Sequence, residues 1–236
     1  MTNNMTFTNS FGDVTIDIPQ GTNVLVKLSG GADSAILLYM LAKYRHELNP
    51  TMRFVIATTV AQPKPFQLIF AEQVINYVNS VYPMGDYLHV TNTANNEQDY
   101  TPKQEALIDS VQDKYTMMYS GITSNPPTSA MAEHGMLTDE RVAIRDHDAP
   151  DKYSIYEWPL AKPGYMGYYK SNRPFANHHK KATAEFYTNL GVMESLFSLT
   201  RSCEDPTTNF TYHCGTCWFC LERKWGFESL GDTNES

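Results

Sequence analysis

The chain has 236 residues, 42% hydrophobic and 19% charged, a size and balance suited to one α/β domain with its own core and rather short for two. Its 18 Lys and Arg against 26 Asp and Glu leave a formal charge of -8 and a pI near 5.3, so no overall basic field draws a phosphate backbone, and extended nucleic-acid binding is disfavoured. Residues 1–10 lack the charged and apolar regions of a secretion signal, and no apolar run approaches the ~20 residues of a membrane helix, so the expectation is a cytoplasmic protein with no membrane partner.

Phe11-Gly12-Asp13 reads as a turn, and Val14, Ile16 and Ile18 then alternate with Thr15 and Asp17. This is a short, half-exposed strand, expected as an antiparallel addition at a sheet edge and ended by Pro19-Gln20-Gly21. Val24 to Leu28 follows as a buried parallel strand. The turn Ser29-Gly30-Gly31-Ala32-Asp33-Ser34 leads into an amphipathic helix marked by Ile36, Leu37, Met40, Leu41 and Tyr44. Two glycines let backbone N–H groups close on a ligand, and the helix start adds unpaired N–H groups and a positive dipole end. The stretch is an anion cradle, with hydroxyls from Ser29 and Ser34 at its rims and Asp33 placed to cap the helix or to hold a metal carried by a triphosphate.

Arg53 to Thr59 gives the next buried strand and completes a crossover. Pro63 and Pro65 break the chain before a helix marked by Phe66, Ile69, Phe70, Val74 and Val78, which leads to a short strand near Tyr87–Val90. Thr91 to Asp99 reads as a solvated loop, and Thr101-Pro102-Lys103-Gln104 as a helix start with Thr101 at the cap. Leu107, Ile108 and Val111 supply that helix's apolar face. Tyr115 to Tyr119 is the fourth strand, and Ser120-Gly121 after it falls where an open parallel sheet places its ligand crevice, which makes Gly121 a candidate nucleotide contact.

From Asn125 to Arg173 periodicity fails. Tyr153, Tyr156, Trp158, Tyr165, Tyr168 and Tyr169 either stack on a flat ring or pack down on the domain. His178 to Leu190 returns to a helical pattern closed by Gly191. The elements sum to a single doubly wound, mostly parallel α/β sheet over residues 1–236, with a metal-binding segment at about 200–227.

That segment holds Cys214, Cys217 and Cys220 at intervals of three, with Cys203 upstream. Two-residue spacers let thiolates converge on one ion, and the fourth sulfur completes a tetrahedron. Zinc is the expected occupant, an iron–sulfur cluster the alternative, and disulfides suit neither a reducing compartment nor the crowding. His213 reads as a neighbour of the site, not a ligand.

Ser29-Gly30-Gly31-Ala32-Asp33-Ser34 resembles the PP-loop of ATP pyrophosphatases, whose fold is that of the adenine nucleotide α-hydrolases. The order Thr200-Arg201-Ser202-Cys203, then His213-Cys214-Gly215-Thr216-Cys217-Trp218-Phe219-Cys220-Leu221-Glu222-Arg223-Lys224, resembles the carboxy-terminal signature of 7-cyano-7-deazaguanine synthases of the queuosine pathway. Pro174-Phe175, Lys180 and Leu190-Gly191 match that family's spacing as well. The middle departs: Ala61-Gln62-Pro63-Lys64, Tyr100-Thr101-Pro102-Lys103-Gln104 and Ser124-Asn125-Pro126-Pro127-Thr128 stand where the family has its base- and nucleotide-binding stretches.

The resemblance implies an ATP-dependent ligase that adenylates a deazapurine-like carboxylate, 7-carboxy-7-deazaguanine, releases pyrophosphate, and amidates the acid with ammonia toward the nitrile. It implies ATP, Mg²⁺ and Zn²⁺ as cofactors. Ser29, Gly30, Gly31, Ala32, Asp33 and Ser34 would hold the pyrophosphate and its magnesium, Asp33 and Lys180 would be catalytic, and Cys203, Cys214, Cys217 and Cys220 would bind zinc. A PP-loop nucleotidylase acting on another base or on tRNA, and a nucleotide-binding protein without turnover, are the alternative functions. Association into a homodimer is left open.

Overall fold

The protein is described from a computed structural model, which covers residues 4–62, 64–137, 155–159, 168–205 and 212–232. The described residues include eight strands: β1 (Asn4–Asn9), β2 (Gly12–Asp17), β3 (Asn23–Lys27), β4 (Arg53–Ala61), β5 (Leu88–Ala94), β6 (Met117–Ser120), β7 (Ile155–Pro159) and β8 (Tyr168–Asn172). The helices are α1 (Ala32–Leu48), α2 (Phe66–Val81), α3 (Glu97–Ser110), α4 (Thr128–Glu133), α5 (Lys180–Asn189) and α6 (Trp218–Phe227). No described helix is long and apolar enough to cross a membrane.

Six strands form the central sheet in the order β5-β4-β3-β6-β8-β7. All neighbours pair in parallel except β7, which returns antiparallel along β8. The chain winds outward from β3 through β4 to β5, then comes back to the other side of β3 with β6. The order therefore reverses between β3 and β6, and at such a switch point the loops leaving the two strands diverge to opposite faces and open a crevice beyond their carboxyl ends.

Side-chain alternation on β3 sorts the two layers. Val24, Val26 and Leu28 join α1, α2 and α5 in the larger core, with Phe54 and Ile56 of β4. Leu25 faces the other way, with Val55, Ala57 and Met118, and is covered by Leu107, Ile108 and Val111 of α3. Helices thus lie on both faces of a mostly parallel sheet, as expected of a doubly wound α/β fold.

The helix expected to be amphipathic is covered nearly all round: Ile36, Leu37, Leu38, Met40, Leu41 and Tyr44 are each 0% exposed. The cause is the first strand pair. β1 and β2 form a separate antiparallel hairpin, not an addition to the edge of the main sheet, and Phe7, Val14 and Ile16 pack into the same core as α1. Full burial of each large aliphatic side chain is worth about 1.5–3 kcal/mol, so a helix buried on every side anchors the layer. Hydrogen bonds from Asn9 to the Ala182 carbonyl and from Ser10 to Glu185 fasten the hairpin to α5.

Two boundaries differ from the sequence expectation. β5 runs on to Ala94, and α3 begins at Glu97, not Thr101, with Pro102 inside it. The cap is Asn96, whose side-chain oxygen accepts the Asp99 N–H at 2.9 Å, so an earlier cap overrides the Thr-Pro signal. The stretch 125–173, expected to be irregular, contains α4 and the β7–β8 pair that extends the sheet. Among the aromatic residues noted there, Tyr153 and Tyr165 lie outside the described residues, as does Pro63. α5 closes as expected: Gly191 has φ +68°, its N–H bonds Thr188, and the Val192 N–H bonds the Tyr187 carbonyl.

Candidate nucleotide site and metal centre

Ser29 to Ser34 links β3 to α1 at the switch point, and all of it but Gly30, which lies against α2, lines a cavity of about 550 Å³, a volume in the range of small-molecule sites. The loop is closed by its own hydroxyls: the Ser34 Oγ accepts the Ser29 N–H at 3.2 Å and donates to the Gly31 carbonyl at 3.1 Å, while the Ser29 Oγ accepts the Gly31 N–H at 3.3 Å. Gly30 has φ +77°, and a Cβ there would meet Phe70 Cβ and Ala71 N at 2.8 and 2.9 Å. The loop can lie on α2 only because that position has no side chain.

Gly121 also depends on a missing Cβ, which would stand 2.8 Å from the Asp33 carbonyl and the Ser34 nitrogen. It lets the end of β6 abut the first turn of α1, and it lines the cavity itself. Gly31 is the N-cap of α1 and offers no side-chain cap, so the reading of Asp33 as a helix cap does not hold. Asp33 instead directs Oδ2 to the Lys180 ammonium, and its buried Oδ1 has no hydrogen-bond partner among the described residues.

Lys180, the first residue of α5, is 4% exposed. Its Nζ also lies 3.6 Å from the Glu222 Oε2, which α6 holds fully buried. The neighbouring Lys181 points elsewhere, 5.2 Å over the Trp225 ring. The two adjacent lysines, indistinguishable by composition, are separated by helical geometry.

The cysteine segment forms one wall of this cavity. The Arg201 N–H bonds the Gly30 carbonyl at 2.9 Å, and its guanidinium lies 4.7 Å over Phe66. Glu204 pairs with Lys64 at 2.8 Å. Behind the wall, the Sγ atoms of Cys203, Cys214, Cys217 and Cys220 lie within 4.8 Å of one another, with Cys214 and Cys220 at 3.8 Å. Cys203 is held well below the usual thiol range by hydrogen bonds from Cys217 and Cys220, while the contact with Cys203 pushes Cys217 up to about 11 and Cys220 higher still. Four sulfurs this close cannot all ionise without a cation among them, and the cluster is suited to bind a metal.

His213 is not one of the four. Its Nδ1 pairs with Asp232 at 2.6 Å and its Nε2 accepts the Ser202 N–H at 3.2 Å, so it braces the residue before Cys203. Burial and the nearby Arg223 hold its pKa below the ordinary value. Arg223 is fully buried and donates to Leu230, Thr200, Ser202 and Phe197.

Several cavity residues carried no role in the sequence reading: Lys27, Lys64, Tyr100, Gln104, Arg201 and Glu222. For Lys27 a signal existed, since it is the one charge in the aliphatic strand 24–28. Gln104, read as part of a helix cap, lines the cavity instead. With Lys180, these side chains gather four cations at one crevice of an acidic chain.

No protein-family model and no curated protein matches the chain. Among solved structures it is similar to the U34-tRNA thiolase NcsA from Methanococcus maripaludis with its [4Fe-4S] cluster, at a TM-score of 0.47 and 13% identity over 88% of this chain. The chain spans 65% of the length of that structure.

Proposed function

We propose that the protein is an ATP-dependent enzyme of the PP-loop type that transfers AMP to a carboxylate, with 7-carboxy-7-deazaguanine as the acceptor, and that ammonia then displaces AMP to give the amide on the way to the nitrile. The observation that carries this reading is a glycine-lined anion cradle at the switch point, with the buried Lys180 held beside Asp33 at its mouth. A carboxylate oxygen attacks the α-phosphorus, the bond to the bridging oxygen of the β-phosphate breaks, and pyrophosphate leaves with that electron pair. The positive end of the α1 dipole, with the N–H groups of its first turn, would meet the departing charge, and Lys180 would offset it. The loop carries no lysine of the kind that serves γ-phosphate transfer.

Magnesium would be held by Asp33, whose unpartnered Oδ1 fits such a cation, and when bound it would neutralise phosphate charge. Zinc suits the cysteine site: four sulfurs at about 2.3 Å from one ion stand about 3.8 Å apart, the Cys214–Cys220 spacing, whereas a cluster of several irons would hold them farther apart. Four thiolates leave no open position, so the zinc would be structural and would fasten 200–203 to 214–220.

Incubation with ATP, magnesium, an ammonium salt and 7-carboxy-7-deazaguanine, followed by chromatography of nucleotides and bases, tests the reading. AMP, pyrophosphate and the amidated base are expected. ADP as the sole new nucleotide overturns the proposed chemistry, and AMP formed only with another acceptor overturns the substrate.

A further inference from the structure

Three residues on one face of α6 meet the start of α5. Trp225 lies against both neighbours of Lys180: its ring is 5.2 Å from that of His179, edge to face, and the Lys181 ammonium lies 5.2 Å over it. Lys180 itself meets Gly226 and Glu222. A Cβ at Gly226 would overlap the Lys180 Cβ and stand 2.9 Å from its carbonyl carbon, so α6 closes on α5 here only because residue 226 has no side chain. Glu222 precedes Gly226 by four residues, which puts it on the same helical face, and its Oε2 lies 3.6 Å from the Lys180 Nζ. The lysine stem therefore runs along α6, with its root at Gly226 and its tip at Glu222. The two carboxylates beside that tip differ. Asp33 accepts a hydrogen bond from the ammonium, and its side chain is 18% exposed in the cavity wall; Glu222 stands beyond hydrogen-bond length and is 0% exposed. Glu222 has further interactions of its own, and full burial leaves it no room to follow the ammonium, so its charge is a fixed point. The bond to Asp33 can pass to a phosphate oxygen entering the cavity while the contact with Glu222 remains.

We infer that Glu222 and Gly226 are positioning residues for Lys180: they fix its ammonium at the cavity before a nucleotide arrives and hold it there when a phosphate oxygen replaces Asp33 as its partner. The inference rests on the reading of Lys180 as the cation that meets the phosphates. A lysine has many rotamers to lose, and one that is free until its anion arrives loses them on binding. One laid along a helix has lost them on folding, and binding is tighter for it. Neither positioning residue touches the phosphates; both act through the lysine. The same helix carries Cys217 at its N-cap and Cys220 in its first turn, so the cysteine segment ends in the element that aims this cation.

The test is a set of paired substitutions in the full chain, read by calorimetry as affinity for α,β-methylene-ATP with magnesium, so no turnover is needed. Lys180→Met should weaken binding by about tenfold or more. Glu222→Gln keeps the shape and removes the charge, whereas Gly226→Ala moves α6 and leaves every charge in place. Each should weaken binding by about fivefold in the parent and by less than about twofold in Lys180→Met, the non-additivity of residues that act as a unit. A merely structural role would lower affinity equally in both backgrounds. An equal loss in both, or no loss in the parent, overturns the inference. Thermal melts accompany the titrations: if one variant does not fold the other carries the test, and if neither folds the two residues are structural and the inference is overturned. Lys180→Met that binds the analogue like the parent overturns the reading of Lys180 and this inference together. A loss in Lys180→Met with none in Glu222→Gln or Gly226→Ala leaves that reading standing and overturns this inference alone.

Discussion

Replacing Arg223 by Met should cost the protein a large part of its stability. The guanidinium is 0% exposed and its donors are all engaged: Nε with the Leu230 carbonyl at 2.7 Å, Nη1 with the Thr200 and Ser202 hydroxyls at 2.9 and 3.1 Å, and Nη2 with the Phe197 and Thr200 carbonyls at 3.1 and 3.3 Å. It also lies 3.9 Å over the ring of Phe197, which stacks on Phe227 at 4.2 Å. A methionine fills the volume but takes all five donors away: the Phe197 carbonyl keeps the Thr200 N–H and hydroxyl, at 3.0 and 2.7 Å, while the Thr200 and Leu230 carbonyls each lose a charged donor, worth about 1.5–3 kcal/mol. The two hydroxyls can turn to other acceptors, and the cost of burying the charge is relieved. The net loss should be about 3–5 kcal/mol, a drop in melting temperature of about 6–20 °C for a chain of this size. Urea and thermal unfolding of the metal-loaded protein measure it, with the exposed neighbour Lys224→Met as a control expected within about 0.5 kcal/mol of the parent. An Arg223→Met protein that melts with the parent would show that these bonds hold nothing together.

Metal analysis of the purified protein should find one zinc per chain, and Cys214→Ser should lower its retention; iron with labile sulfide, or no metal, would contradict this. Asp33→Ala should still fold, at a stability cost of up to about 3–5 kcal/mol because it takes one partner from the buried Lys180, and should weaken magnesium-ATP binding measured by calorimetry; a folded variant that binds magnesium-ATP like the parent would contradict the assignment. Gly121→Ala should push the start of α1 off β6 and cost about 1–3 kcal/mol by overpacking, read in the same unfolding assay. His178 is buried between the hairpin and Phe186, and burial holds its pKa below 6.5. The unfolded chain then binds the proton first, so stability present above pH 6.5 should fall away as pH drops below it, and His178→Gln should flatten that slope in melts taken from pH 7.5 to 5.5.

Local patterns carried the strands β3 to β6 and both motifs, but not the β7–β8 pair that extends the sheet. The alternation of Val24 to Leu28, the glycine pair and the apolar spacing of α1 specify a strand, a turn and a helix without reference to the rest of the chain, and the cysteine spacing alone implies convergence on one point. What stayed illegible depends on distant partners. The hairpin of β1 and β2 shows a half-buried pattern that any apolar surface would satisfy, and distant α1 and α5 decide which surface that is. The start of α3 is not legible locally because Thr101-Pro102 and Asn96 are both good helix openings, and local chemistry does not rank them. Lys180 and Lys181 differ only in which side of α5 faces Asp33. Glu222 sat inside a recognised motif as a spacer, and its burial beside Lys180 arises from how α6 docks.

The ion pair between Asp33 and Lys180 closes over a sequence separation of 147 residues, and the cavity wall at Arg201 comes later still. A chain emerging in order would present its phosphate loop early, with one side bare until α5 and the cysteine segment arrive to meet it. Long closures of this kind form late, because the entropy of joining distant segments must be met before their contacts contribute. The order of assembly therefore leaves the cavity incomplete until residues 180–203 have emerged. On the proposed function, a partial chain that ends before residue 180 should not retain nucleotide, however well its sheet has formed, and affinity for ATP would report the closure of α5 and the cysteine segment on the loop.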